Sequence, residues 1–154
     1  MTGRSRRAGA LRCAVALPVL LLWGGEICAQ PTPAGLWRTV DDATGKAKAL
    51  VRVIDADGVM SGRIEHLFDP DPKWDGRCDR CRDHRKDQPV LGLTILTNVR
   101  KDGDSYKGGE ILDPENGNVY RCILRLIDGG DRLEVRGYIG IALFGRTQFW
   151  VREK

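Results

Sequence analysis

Asn118-Val119-Tyr120-Arg121-Cys122-Ile123-Leu124-Arg125-Leu126-Ile127, then Asp128-Gly129-Gly130-Asp131, then Arg132-Leu133-Glu134-Val135-Arg136, is the stretch that decides the fold. In its first run Tyr120, Cys122, Leu124 and Leu126 fall on one side and Arg121 and Arg125 on the other. In the second, Leu133 and Val135 oppose Arg132, Glu134 and Arg136. Successive side chains of an extended chain point to opposite faces, so alternation of period two reads as a strand buried on one side. The glycines between the runs supply the positive φ that a tight turn needs. Two half-buried strands and a turn make an antiparallel hairpin.

The same grammar extends in both directions. Strands are predicted at 36–40, 48–55, 59–67, 91–100, 105–112, 118–127, 131–138 and 145–152. Their connections carry turn chemistry: Asp41-Asp42-Ala43-Thr44-Gly45, Asp55-Ala56-Asp57-Gly58, Lys101-Asp102-Gly103-Asp104 and Asp113-Pro114-Glu115-Asn116-Gly117. In the last of these a proline pre-sets φ ahead of an Asn-Gly pair. Helical periodicity is nearly absent, the best stretch being one turn at Ile139 to Leu143. The reading is an all-β domain, a small eight-stranded antiparallel up-and-down β-barrel, because closure removes both exposed sheet edges. Turn spacing alone also allows a two-sheet sandwich. An eight-stranded barrel is either filled by its own side chains or holds one small ligand, and both readings stand at this level.

The 154 residues suffice for one domain. Residues 1–29 read as a secretory signal peptide: Arg4, Arg6, Arg7 and Arg12 form a basic head, Leu11 to Trp23 an apolar middle, and Ala29 a small residue at the exit. The apolar run is short for a bilayer span, so a cleaved signal is expected rather than a retained anchor. Acidic Glu26 and bulky Ile27 before Cys28 favour ordinary cleavage over lipid modification. The expected location is the periplasm, with release to the extracellular medium as the other possibility. Residues 30–34 read as a short tether and 35–154 as the barrel, with a long 67–90 loop. The signal carries four of the 25 basic and one of the 21 acidic residues, leaving 21 against 20. A near-neutral chain without a basic run interleaved with aromatics gives nucleic-acid binding little support.

Further patterns carry a family resemblance. Gly35-Leu36-Trp37 opens the first strand, Asp113-Pro114-Glu115-Asn116-Gly117-Asn118-Val119-Tyr120 forms a hairpin, and Arg136-Gly137-Tyr138-Ile139-Gly140 leads to Gly145-Arg146-Thr147-Gln148-Phe149-Trp150-Val151-Arg152. Together they closely resemble a bacterial envelope family catalogued as domain of unknown function 2147, over residues 35–152. The family looks like a small relative of the lipocalin and calycin barrels, which favours closure over the sandwich, and it brings no established activity. The lipocalin parallel implies that Trp37, following Gly35, plugs one barrel end with Arg152 across its indole face. Such a contact is worth roughly 1 kcal/mol.

Three cysteines remain after signal removal, Cys78, Cys81 and Cys122. In an oxidising compartment Cys78 and Cys81 read first as a disulfide pinning the long loop. Two alternatives stand beside it: a redox pair, and a zinc site of Cys78, Cys81 and His84. Cys122, on the apolar face of its strand, reads first as a buried inert thiol, with a bond to Cys78 or Cys81 tying the long loop to the barrel as the alternative. The acids Asp69, Asp71 and Asp75 fail calcium-loop spacing because Lys73 and two prolines intervene. No phosphate loop, Gly-x-Ser-x-Gly elbow or His-Glu-x-x-His occurs, so no catalytic residue and no cofactor is assigned. Asp113 and Arg136 are noted as a conceivable pair at one barrel end. The leading functional expectation is a barrel that binds a small apolar ligand or serves envelope maintenance. Phe68 and Trp74 of the long loop are its candidate contacts, the loop acting as a lid. A thiol or zinc protein and a partner-binding barrel in envelope assembly are the other two expectations.

Overall fold

The computed structural model describes residues 31–154; the expected signal peptide lies outside the described residues. Eight strands follow in order: β1 Gly35–Val40, β2 Ala47–Ala56, β3 Val59–Leu67, β4 Thr94–Asp102, β5 Ser105–Asp113, β6 Asn118–Ile127, β7 Arg132–Tyr138 and β8 Arg146–Arg152. Every neighbour is antiparallel, and β8 returns to β1 through Trp37↔Arg152 and Arg38↔Val151. The sheet is a closed barrel, not a sandwich. Short 3₁₀ turns occupy Asp128–Gly130 and Ala142–Phe144, the second overlapping the single turn expected at 139–143.

An up-and-down path sends alternate connections to opposite ends. The chain entry, the C-terminus and the β2–β3, β4–β5 and β6–β7 turns share the lower end. The β1–β2, β3–β4, β5–β6 and β7–β8 connections share the upper end. Trp37, Val53, Met60, Leu96, Val99, Leu124, Leu133, Val135 and Trp150 fill the lower and middle interior, each at most 3 % exposed. A barrel so filled derives its stability from apolar burial at about 25 cal/mol per Å².

The lower end is closed as the alternation and the Gly-x-Trp signature imply. The Arg152 guanidinium carbon lies 4.2 Å from the Trp37 ring centroid. Arg152 also donates to the carbonyls of Gly130 (2.7 Å), Ala34 (3.0 Å) and Thr32 (2.8 Å). Residues 31–34, expected as a tether without packing, are therefore docked. Pro33 is fully buried, and its carbonyl accepts the Trp37 indole N–H at 2.7 Å. Two prolines restrict the segment's backbone freedom, so ordering it costs little entropy.

The 68–93 connection also differs from expectation. It has structure of its own, an Arg77↔Pro89 bridge flanked by Cys78 N–H to Gln88 and Val90 N–H to Gly76. The predicted fourth strand begins three residues late, because Val90 to Leu93 form a turn with Gly92 at φ 87°. Leu96 pairs with Ile111 inside the barrel, which sends their neighbours Ile95 and Leu112 to the outer wall. Both are nonetheless buried, so the wall must be covered there. The loop is the cover. Its Cys78 Sγ lies 3.6 Å from Pro114 O, Arg80 donates to Glu115 O at 3.1 Å, and Arg85 to Thr94 O at 3.4 Å. Rather than a free lid, it is a flap clamped to the β4–β5 wall and the β5–β6 turn.

Candidate functional site

Toward the upper end the interior changes character. Gly109, Cys122, Gly137 and Arg146 form one cross-strand row on β5 to β8, and Ile111 faces Tyr120 just above it. Cys122 is sealed at 1 % exposure, whereas Thr39, Ile111, Tyr120, Gly137 and Gln148 are only half-buried. The mouth is thus a recess with Cys122 as its floor. Gly137 matters because it omits a side chain there. A Cβ added to it would meet Tyr120 Cβ at 3.5 Å, Ile111 Cγ2 at 3.7 Å and Tyr120 Cγ at 3.7 Å, ordinary contacts, while one at Gly109 would overlap Thr97 and Val99. The space belongs to Gly137 alone of the two.

Polar groups ring this recess. Tyr120 Oη accepts from Asn116 Nδ2 (3.2 Å) and Asn118 Nδ2 (3.4 Å), which leaves its own proton free to donate. Asn116 is in turn held by Asp113 Oδ2 at 2.9 Å. Arg146 reaches Asp42 Oδ2 at 2.5 Å, and this carboxylate raises the guanidinium's affinity for its proton. Asp41 sits in the same turn with its carboxyl lowered, chiefly by the Thr44 hydroxyl. Gln148 Oε1 lies 3.5 Å from the Trp150 indole nitrogen, linking the recess to the packed interior below. Burial and, secondarily, Glu110 push the Cys122 thiol up to about 12, so it is no nucleophile at neutral pH. An apolar floor under a ring of donors and acceptors can hold a small amphipathic molecule.

The residues singled out from sequence fall elsewhere. Cys78 and Cys81 form a disulfide and are both buried, so neither sulfur is presented for exchange or metal binding. Cys122 is free and buried. His84 is exposed, and no group of three or more His, Cys, Asp or Glu converges among the described residues. Phe68 packs edge-on against His66 at 4.7 Å. Trp74 is half-buried against the core, and its indole N–H goes to Arg77 O at 3.1 Å. Asp113 and Arg136 do not pair: Asp113 caps Glu115 N–H, and Arg136 turns to Ala142 O, Leu143 O and Thr147. Tyr120 was legible as an inward residue, since it shares the face of Cys122 and Leu124. The roles of Gly137, Ile111 and Gln148 were not, because register between strands decides which residues meet.

Two hollows flank Leu91 on the flap, of about 500 and 390 Å³. They are open grooves lined by His84, Arg85 and Pro89 in one case and Arg63 and Glu65 in the other.

Comparison with known proteins follows the architecture. The solved structure of protein HP1028 from the human pathogen Helicobacter pylori, described as belonging to the lipocalin family, superposes with a TM-score of 0.67 at 19 % identity. The match covers 80 % of this chain and 84 % of that one. At this identity it shows the fold alone, and the fold is a lipocalin-like barrel. No curated protein matches the chain. A family of proteins described as uncharacterized and conserved in bacteria, DUF2147, matches residues 35–152, the whole barrel. The chain belongs to the DUF2147 family.

Proposed function

We propose that this protein is an exported, non-catalytic binding barrel that takes a small amphipathic molecule in its upper mouth. The reading rests on one observation: above the sealed Cys122 floor, Gly137 presents no side chain among half-buried Ile111, Tyr120 and Gln148, and a Cβ there would clash with nothing. The filled lower interior limits the ligand to one whose apolar part is short. That part would rest on Ile111, Gly137 and the Tyr120 ring. Its polar part would meet the Tyr120 hydroxyl, Gln148 and Arg146. A carboxylate or phosphate head would compete with Asp42 for the Arg146 fork, which suits either anion. Likeness to a protein described as lipocalin supports ligand binding by analogy of fold. The export signal read from residues 1–29 supports a role in the envelope, where a carrier or maintenance role fits.

The test is a titration with the apolar fluorophore N-phenylnaphthylamine, on wild type and on Gly137→Leu. Gly137 is not among the positive-φ glycines, so leucine fits the backbone and fills the recess. Loss of about tenfold or more in affinity is expected from displacing one buried apolar contact set. Equal binding by the two proteins would refute the recess as the site.

A further inference from the structure

We propose that the β7–β8 connection is a membrane-docking tip, which sets the mouth of the barrel against a lipid bilayer. The proposal does not depend on the ligand reading above. Ile139, Ile141, Leu143 and Phe144 are 70, 59, 77 and 80 % exposed. Single exposed apolar residues are ordinary, but four within six positions on one projecting loop are not. The loop is also built rather than loose. Arg136 donates to Ala142 O at 2.7 Å, Leu143 O at 3.0 Å and Thr147 Oγ1 at 2.7 Å, and the Ala142–Phe144 turn adds its own bonds. Those carbonyls are satisfied within the chain, as entry into an apolar phase requires.

The surroundings favour a bilayer over a protein surface. All four side chains stand more than half exposed, and a fluid phase accepts them without a matching socket. No Asp or Glu occurs between Val135 and Arg152. Arg136 spends its donors on neutral oxygens and so keeps its charge uncompensated, whereas Arg146 at the other foot of the loop is paired with Asp42. Arg136 and Tyr138 beneath an apolar tip complement headgroups above an acyl layer. A second copy of the chain has less to hold, since the tip carbonyls already bonded to Arg136 are unavailable for strand pairing.

The species to test is the barrel from Gln30 onward, closed on its own core, because Leu11 to Trp23 would bind lipid unaided. It is sedimented with vesicles of phosphatidylethanolamine and phosphatidylglycerol in equal parts. Wild type should pellet with the vesicles. The double substitution Leu143→Asp and Phe144→Asp should weaken partitioning by roughly a hundredfold, about tenfold per apolar side chain. Ile54→Asp, the loss of one exposed apolar side chain at the lower end where Ile54 is 52 % exposed, should leave it unchanged. In Phe144→Trp, brominated lipid should quench the added fluorescence. Failure of wild type to pellet, or equal loss in the Ile54 variant, would overturn the proposal. So would a lipid-free dimer that the double substitution dissociates, since the tip would then be an interface between copies. Binding of N-phenylnaphthylamine without vesicles reports on the recess separately.

Discussion

Arg152 lies flat on Trp37, its guanidinium carbon 4.2 Å from the ring centroid, with three backbone carbonyls around its edge. One side chain thereby joins the last strand, the first strand, the β6–β7 turn and the chain entry. Gly35 makes the room: a Cβ there would stand 2.5 Å from Arg152 Nη1, at a φ of 146° that side chains rarely adopt. Arg152→Ala should cost about 3 kcal/mol, combining roughly 1 kcal/mol of ring contact with carbonyls left unpaired. Arg152→Lys should recover less than half, because its donors sit on one nitrogen and cannot reach three carbonyls served by three separate guanidinium nitrogens while also lying flat on the indole. Urea unfolding followed by tryptophan fluorescence measures both.

Gly117 holds the flap. It has φ 70°, and a Cβ there would overlap the Arg80 carbonyl. Gly117→Ala should cost about 2–4 kcal/mol, from the left-handed backbone and the displaced loop together. Its local signature is faster trypsin cleavage after Arg80, Arg82, Arg85 and Lys86 while the barrel strands stay protected. Unchanged cleavage would mean that the flap does not depend on this contact.

Cys122 supplies a pH dependence. Its thiol is pushed up to about 12 from a usual 9.0, first by burial and then by Glu110. Between those values the unfolded chain loses the proton while the folded chain keeps it, so the folded state binds more protons and stability falls as pH rises. Wild type should lose stability from about pH 9 toward 12 more steeply than Cys122→Ala. Below pH 9 this group should contribute no slope. Parallel curves for the two proteins in denaturant titrations would count against a sealed thiol.

Asp83 acts at the opposite extreme. Its hydrogen bonds from the Arg85 side chain and backbone lower it to about 2 from 3.8. The stabilisation is present above the usual value and is lost as pH falls through the folded one, between 3.8 and about 2. Because the carboxyl is largely exposed, the effect is confined to the flap and should appear as faster amide exchange at Arg85 in acid, absent in Asp83→Asn.

The sequence was informative wherever one strand carries its own answer. Alternation of Cys122, Leu124 and Leu126 against Arg121 and Arg125 located β6 without reference to a neighbour, and Asp-Gly and Asn-Gly pairs marked the hairpins. Gly35, Trp37 and Arg152 were readable through resemblance to a known signature. Other features depend on partners distant in sequence. Pro33 looks like linker until Arg152 and Trp37 take the surrounding carbonyls. Ile95 and Leu112 look like outward positions and become buried only because the flap folds back over them. Gly137 resembles any strand glycine until register sets it beside Cys122 and near Ile111 and Tyr120. Arg136 reads in the sequence as an exposed strand residue, yet it orders the β7–β8 tip.

The most direct test is native mass spectrometry of the protein released gently from cells, run beside Gly137→Leu and repeated on denatured samples. Wild type should carry an added mass that disappears on denaturation, and Gly137→Leu should show the bare polypeptide, two hydrogens light for the Cys78–Cys81 bridge. A wild type with no added mass, or a Gly137→Leu protein that keeps the same one, would contradict a ligand held in the mouth of the barrel.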